Sequence, residues 1–355
     1  MSGSSLSQIN NDSVTYILGA GFSCGAGLPL SYNFLDKMKE VHPQYQLGKT
    51  PPPLNVPMDE LFRFRSQRPG LFDASLINNV EFWLSLVSAR SLGSIKSRGF
   101  NKYQMQIAIA QTIAYYVDLS VKNASADFVN SFVDIIGRSN TFKPNNNTVI
   151  TLNYDDLIER ACERVGGHYR YGFKRRGFNG TFKVDLSDYN GKMLDVNEEQ
   201  SSVPIYKLHG SYNWMTEQED IQLISDMQHF FSKQEFWATN EWTRHGFVIE
   251  PPTIDKLYAS RILSVIWGRA YDSLASAFHI IVIGYSFPEN DGYAKYLLMA
   301  SLVDNATLKQ VTIVDPSCDD SYKGRIKWLL DLLEAKKVSI NFCQQTAKQW
   351  IQNKI

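Results

Sequence analysis

Residues 14–29 read VTYILGAGFSCGAGLP: a run of β-branched, aromatic and aliphatic residues that breaks into four glycines, a serine and a cysteine before a proline. The first five residues predict a buried strand, and the glycines predict a tight turn at its end. Backbone without side chains can approach a ligand closely, and a helix starting after the turn aims its N–H groups at an anion. A nucleotide is the expected ligand, and the unit is the first strand of a nucleotide-binding sheet.

Three further runs have the same character: TVITLNYD (148–155), HIIVIGYSF (279–287) and QVTIVDP (310–316). Near-continuous β-branched residues indicate strands covered on both faces, as in a parallel sheet flanked by helices. The expected fold class is therefore α/β, with a doubly wound, mostly parallel sheet whose ligands bind beyond the carboxyl ends of the strands. The gap between the first two strands is too long for one crossover and contains the breaker TPPPLNVP (50–57). Apolar spacings of three and four in NNVEFWLSLVSAR (78–90) and YQMQIAIAQTIAYYVDLSV (103–121) predict helices. We expect a single domain over residues 1–355. Its core comes from about 12–50, 145–214 and 276–345, and a helical subdomain comes from insertions at about 51–144 and 215–275.

Composition excludes several classes. Lysine plus arginine and aspartate plus glutamate number 36 each, so no net field draws the chain to nucleic acid or an anionic membrane. The basic cluster Lys174, Arg175 and Arg176 reads as a solvated loop. The polar N-terminus and the lack of an apolar run of about 20 residues predict a cytoplasmic protein with no membrane partner. The four cysteines, Cys24, Cys162, Cys318 and Cys343, form no CxxC pair, so reduced thiols are expected and neither a zinc site nor any other metal.

The chemistry sits at the strand ends. Gly19 and Gly21 fit the start of a G-x-G-x-x-G fingerprint, but Cys24 stands where the third glycine belongs. Glu40 has the spacing of a ribose-binding acid yet falls in the helical pattern FLDKMKEV. A dehydrogenase is disfavoured on both counts. In TLNYDDLIER, Asn153 and Asp155 leave a buried strand on the same side, although an aspartate there also suits the N-cap of the following helix. In YKLHGSYNW, His209 precedes a glycine and a serine at another strand end. In GYSFPENDGYAKYLL, Gly284 and Ser286 form a turn, and Asp291 opens a helix, a capping position in its own right.

The ordered set GAGFSCGAGLP, TLNYD, KLHGS and GYSFPENDGYAKYLL followed by VDP resembles the sirtuins, and more closely the bacterial sirtuin-like proteins of antiphage defence. NVEFWLS (79–85) and EPPTIDK (250–256) are weaker echoes. The resemblance runs over about residues 14–316 and implies a Rossmann-like core with NAD as substrate. It implies that the glycine loop holds the NAD phosphates and that Asn153 and His209, with Asp155 beside them, sit at the nicotinamide riboside. It also assigns Gly284, Ser286 and Asp315 to the adenosine half, with Asp291 counted among the cofactor-binding residues and a turn role before Pro316 equally open for Asp315. Sirtuin deacylases carry two CxxC pairs on a zinc module beside the acyl-lysine channel, and this chain has none. NAD cleavage requires only the core.

The expected activity is an NAD glycohydrolase giving nicotinamide and ADP-ribose, the effector of an abortive infection system; a protein deacylase and a noncatalytic nucleotide sensor are the alternatives. Breaking the nicotinamide–ribose bond develops positive charge at the sugar carbon. Asn153 is expected to orient the attacking water or the ribose hydroxyls, His209 to act as general base, and Asp155 to hold the carboxamide or stabilise the developing cation. The loop of Gly19, Ala20, Gly21, Phe22 and Ser23 is expected to meet the diphosphate through backbone N–H groups. Phe22 and Pro29 are expected to wall the nicotinamide ribose. An NADase must be gated. Residues 321–355 read as a helix, a short strand and a terminal helix without a fused sensor, so the gate is expected to be self-assembly into a homo-oligomer or a separate subunit, a helicase-type ATPase or a nucleotide-sensing protein.

Overall fold

The computed structural model describes residues 13–47, 78–91, 102–137, 147–172, 174–178, 181–185, 202–217, 220–232, 246–250, 261–289 and 291–354. The breaker at 50–57 and most of the aromatic stretch at 226–242 lie outside them.

Seven strands form one wholly parallel sheet: β1 (Val14–Leu18), β2 (Thr148–Thr151), β3 (His168–Arg170), β6 (Ser202–Lys207), β10 (His279–Ile283), β11 (Gln310–Val314) and β12 (Ser339–Cys343). Their spatial order is β12-β11-β10-β1-β2-β6-β3. The fold is α/β and Rossmann-like, as the strand composition predicts. Every residue of β2 and of β6 is buried, whereas the edge strand β12 alternates exposed and half-buried positions. Helices flank this sheet, and the C-terminal segment has the expected strand and terminal helix, β12 and Ala347–Gln352, but two helices, Asp320–Arg325 and Lys327–Ala335, where one was expected. The last helix is closed by a capping box between Thr346 and Gln349.

The strand order reverses between β1 and β10, the topological switch point. There the two glycine turns interlock. Gly19 N–H donates to Ile283 O (3.1 Å) and Gly21 N–H to Gly284 O (2.8 Å). A Cβ on Gly19 would lie 2.6 Å from Gly284 O, and one on Gly21 would lie 2.8 Å from Gly284 Cα. Gly284 itself has φ +63°, and its own Cβ would overlap Phe22 N. Glycine at these positions is required by backbone meeting backbone.

The sequence reading did not foresee a second sheet. Strands β4 (Lys174–Phe178), β5 (Thr181–Asp185), β7 (Gly210–Glu217), β8 (Asp220–Ile224) and β9 (Phe247–Ile249) form an antiparallel sheet in the order β4-β5-β8-β7-β9. Among the described residues of the insertion at 215–275, the end of β7, β8 and β9 are strand, while Met227–Ser232 and Arg261–Ala275 are helix, and the basic cluster 174–176 begins β4 instead of a loop. The first insertion is helical where described, with Val80–Ser91, Lys102–Lys122 and Asp127–Gly137. Helix Lys102–Lys122 is buried along most of its length, and Gln106 Nε2 donates to Ile249 O (3.0 Å), fixing the helix to β9.

Replacing Gly284 by alanine should cost about 2 kcal/mol or more, because it combines a left-handed φ with a backbone overlap. Thermal denaturation of Gly284→Ala checks this. A melting temperature equal to that of the parent would mean that the interlock does not hold the two turns.

Candidate functional site

A chain of polar groups ties the glycine turn to the tip of β2. Asn153 N–H donates to Thr151 Oγ1 (3.0 Å), which sets the backbone, and Asn153 Nδ2 donates to both Gly19 O and Ser23 Oγ (2.9 Å each). The Ser23 hydroxyl donates in turn to Asp155 Oδ2 (2.6 Å), while Asp155 Oδ1 accepts from Leu157 N (3.2 Å) at the start of helix Leu157–Arg164. Amide, hydroxyl and carboxylate thus run in one direction, each donor matched to an acceptor. All three side chains are buried. Burial pushes the Asp155 carboxyl above its usual range, against the pull of Lys207, of the Ser23 hydroxyl and of the Leu157 amide.

Beneath this chain lies Lys207, the last residue of β6 and fully buried. Its ammonium donates to the backbone O of Asp155 and sits 3.2 Å from Glu159 Oε1, which also accepts from Tyr171 Oη (3.1 Å). Burial raises the Glu159 carboxyl too, with Lys207 opposing. A lone buried ammonium would be prohibitive; two acceptors make it tenable.

His209 follows β6, the neighbour of β2, and is buried. Its Nε2 lies 3.3 Å from Asp291 Oδ2, which also accepts from Tyr285 Oη (2.9 Å), while Asp291 Oδ1 caps the next helix by accepting from Ala294 N (3.4 Å). Asp291 therefore caps its helix and partners the histidine at once. In the tautomer that donates Nε2–H to the Asp291 carboxylate, the lone pair of the ring lies on Nδ1. The His209 ring packs beside Tyr154, at 6.2 Å between centroids, and Trp267, at 6.5 Å.

A partly open cleft lies in front of β2. Ala20, Ser23, Pro29, Asn153, Tyr154 and Asp155 line it from the core, and Glu81 and Ile113 line it from the first insertion. His209 is not on the lining itself; its neighbour Tyr154 is. The other expected residues lie elsewhere. The Phe22 ring is buried in the core against Phe128 and Phe132, so it does not wall the cleft. The amides of Gly19, Gly21 and Phe22 donate to Ile283 O, Gly284 O and Gly19 O, and helix Ala20–Cys24 is only five residues long. The expected amide cradle for phosphate is thus engaged inside the protein at three of its five positions, and the loop faces the cleft through Ala20 and Ser23. Gly284 is buried in the interlock. Ser286 is exposed, and its carbonyl accepts from Arg325 Nε (3.4 Å). Asp315 accepts from Ser317 N (2.8 Å) in a turn, with its carboxyl pushed up by burial.

Sequence reasoning missed Glu81, Tyr154, Lys207 and Tyr285. Lys207 carried a usable signal, a cation inside the otherwise apolar run VPIYKLHG. The pairing of His209 with Asp291 left none, since 82 residues separate them.

The SIR2-like domain family matches residues 147–339, more than half of the chain, and the chain belongs to that family. Solved structures that align with it include a Sir2 homologue in complex with NAD, at 11% identity over 96% of this chain and 86% of that one, with a TM-score of 0.39. Sir2Tm bound to a propionylated peptide aligns at 12% identity over 96% of this chain and 90% of that one, with a TM-score of 0.39. A Sir2 homologue mutant in complex with 2′-O-acetyl ADP-ribose aligns at 12%, 96% and 89%, with a TM-score of 0.40. No curated protein sequence matches significantly. All four cysteines are free thiols, and among the described residues no helix is long and apolar enough to cross a membrane.

Asn153→Ala should destabilise the fold by roughly 1–3 kcal/mol, because it removes the donor to the buried Ser23 hydroxyl and one of the two donors to the Gly19 carbonyl. Thermal denaturation reads this directly, and an unchanged melting temperature would show that the network does not bind the turn to β2.

Proposed function

We propose that the chain hydrolyses NAD, with water, to nicotinamide, ADP-ribose and a proton. The observation that supports this reading is the placement of Asn153 and of the His209–Asp291 pair beyond the ends of neighbouring strands, with the Tyr154 ring of the cleft packed beside His209. The cleft has the mixed lining that suits a nicotinamide riboside end: apolar walls with a few fixed donors and acceptors.

When bound, NAD supplies a glycosidic bond whose cleavage develops positive charge at the ribose carbon. Asn153, held by Gly19 O and Ser23, orients a water or a ribose hydroxyl with its amide carbonyl, the half of the group that the network leaves as acceptor. His209 takes the proton on Nδ1 while Asp291 steadies the imidazolium that results. Asp155 contributes through Ser23 and by fixing the strand end. We place Ala20, Ser23 and Pro29 against the nicotinamide ribose. Gly284, Ser286 and Asp315, beyond β10 and β11, are left for the adenosine half. In the chain's wider role we propose NAD depletion as the effector arm of an antiphage, abortive infection system in the cytoplasm, silent until assembly or a regulatory subunit releases it. Tyr296 and Val303, 66% and 60% exposed and two turns apart on helix Gly292–Asp304, favour such a contact.

The purified chain, alone and with the products of neighbouring genes, should release nicotinamide from NAD without any acylated peptide; strict dependence on acyl-lysine would replace this reading with a deacylase. Asp291→Asn provides the sharper test. Its carbonyl can keep the helix cap while its amide donates to Nε2, which moves the ring proton to Nδ1. We expect a folded protein with turnover reduced by roughly two to four orders of magnitude. Turnover equal to the parent would remove His209 as the base.

A further inference from the structure

We propose that Glu250, held by Lys102, is a positioning residue for His209: the ion pair sets the strand end on which the histidine's backbone rests. The inference deepens the hydrolase reading and rests on it for what His209 does, but the positioning is measurable without turnover.

Three contacts to main-chain atoms converge on the end of β9. Glu250 N–H donates to His209 O (3.0 Å), and Glu250 O accepts from Tyr154 Oη (3.2 Å). Next to His209, Gly210 has φ +81°, and a Cβ on it would overlap Val248 O. One short stretch, Val248 to Glu250, thus grips the corner where β6 gives way to β7. It also fixes the hydroxyl of the ring that packs beside the imidazole.

The strand that does this is weakly fixed by its own sheet. β9 has three residues and pairs with β7 alone, in a register that shifts between Gly210 and Met215. Its remaining support comes from the start of helix Lys102–Lys122. Gln106 Nε2 reaches Ile249 O (3.0 Å), and one turn earlier Lys102 Nζ donates to both carboxylate oxygens of Glu250 (2.8 Å each). Two side chains on one face of the helix therefore hold two successive residues of the strand end.

Docking the helix does not depend on the ion pair. The helix is buried along most of its length, whereas the Lys102 and Glu250 side chains are 24% and 14% exposed, and a pair so placed adds little net stability. What it adds is position. The Gln106 bond acts on the carbonyl before Glu250, while the ion pair acts on Glu250 itself, whose N–H and C=O meet His209 and Tyr154. Displacing a reacting group by about 1 Å can cost about a hundredfold in rate.

The test changes side chains only, so the main-chain groups of residue 250 stay in place. Lys102→Met and Glu250→Gln should each lower kcat for NAD cleavage roughly tenfold or more, with KM within about twofold of the parent and little change in melting temperature. Lys102→Arg, which also pairs with a carboxylate through two N–H groups, should restore most of the turnover. The nitrogen NMR signature of the His209 ring reads position without turnover: one tautomer in the parent, protonated at Nε2 toward Asp291, and a mixture in Lys102→Met. An unchanged kcat and ring signature in both variants overturns the proposal. So does a loss of turnover that follows melting temperature and that Lys102→Arg does not restore. A parent that cleaves no NAD, yet whose ring signature changes in Lys102→Met, keeps the positioning role and loses the hydrolase reading.

Discussion

Backbone against backbone at the switch point is the constraint on which the rest of the structure depends. Gly19 and Gly21 at the end of β1 press on Gly284 at the end of β10 so closely that no side chain fits at any of the three. This contact sets the position of helix Ala20–Cys24, and through it Ser23. Ser23 then meets Asn153 and Asp155 from the other neighbour of β1. Two crossovers of very different length are thereby drawn to a common point, and the cleft forms where their ends diverge. The glycines serve the site by letting strand ends approach, more than by baring amides to a ligand.

Around that point the protein accepts buried polarity that an economical core would avoid. Lys207, Glu159, Asp155, Asp291 and His209 are all buried, and each is matched to at least one partner. Buried ion pairs of this kind add little net stability, because desolvation offsets the attraction, whereas breaking one is costly. What they provide is position. Lys207 grips the backbone of the β2 tip from β6, so the neighbouring strands that carry Asn153 and His209 are held in register by a charged contact as well as by the sheet. Burial raises the Asp155 and Glu159 carboxyls against the pull of Lys207, which is the same desolvation at work. Fixed dipoles with little freedom to reorganise are also what stabilising a developing charge requires.

The parallel core was legible in the sequence because buried parallel strands need near-continuous β-branched residues, and Val14–Leu18, Thr148–Thr151, His279–Ile283 and Gln310–Val314 supply them. Asn153 and Asp155 were expected from strand alternation, but both lie beyond the end of β2 at Thr151, and it is Ser23 that ties them together. The antiparallel sheet was not legible. Its residues mix polar and apolar types, and KRRGF in β4 carries no strand composition at all. Contacts set by topology were equally hidden. Asp291 reads locally as a helix cap, which it is, and only the fold brings its second oxygen to His209. Phe22 reads as a site residue by its place in the glycine loop, but a one-residue step around a helix turns its ring into the core. Glu81 lies in an insertion whose docking on the glycine turn no local pattern announces.

The account stands on the claim that Asn153 and His209 serve one sugar. A crystal structure of the His209→Ala chain with NAD measures this most directly. The nicotinamide ribose should lie within hydrogen-bonding distance of Asn153, on the side vacated by the imidazole, with the diphosphate passing Ala20 and Ser23. A dinucleotide bound with that ribose elsewhere, at the ends of β10 and β11 or outside the cleft, would contradict it.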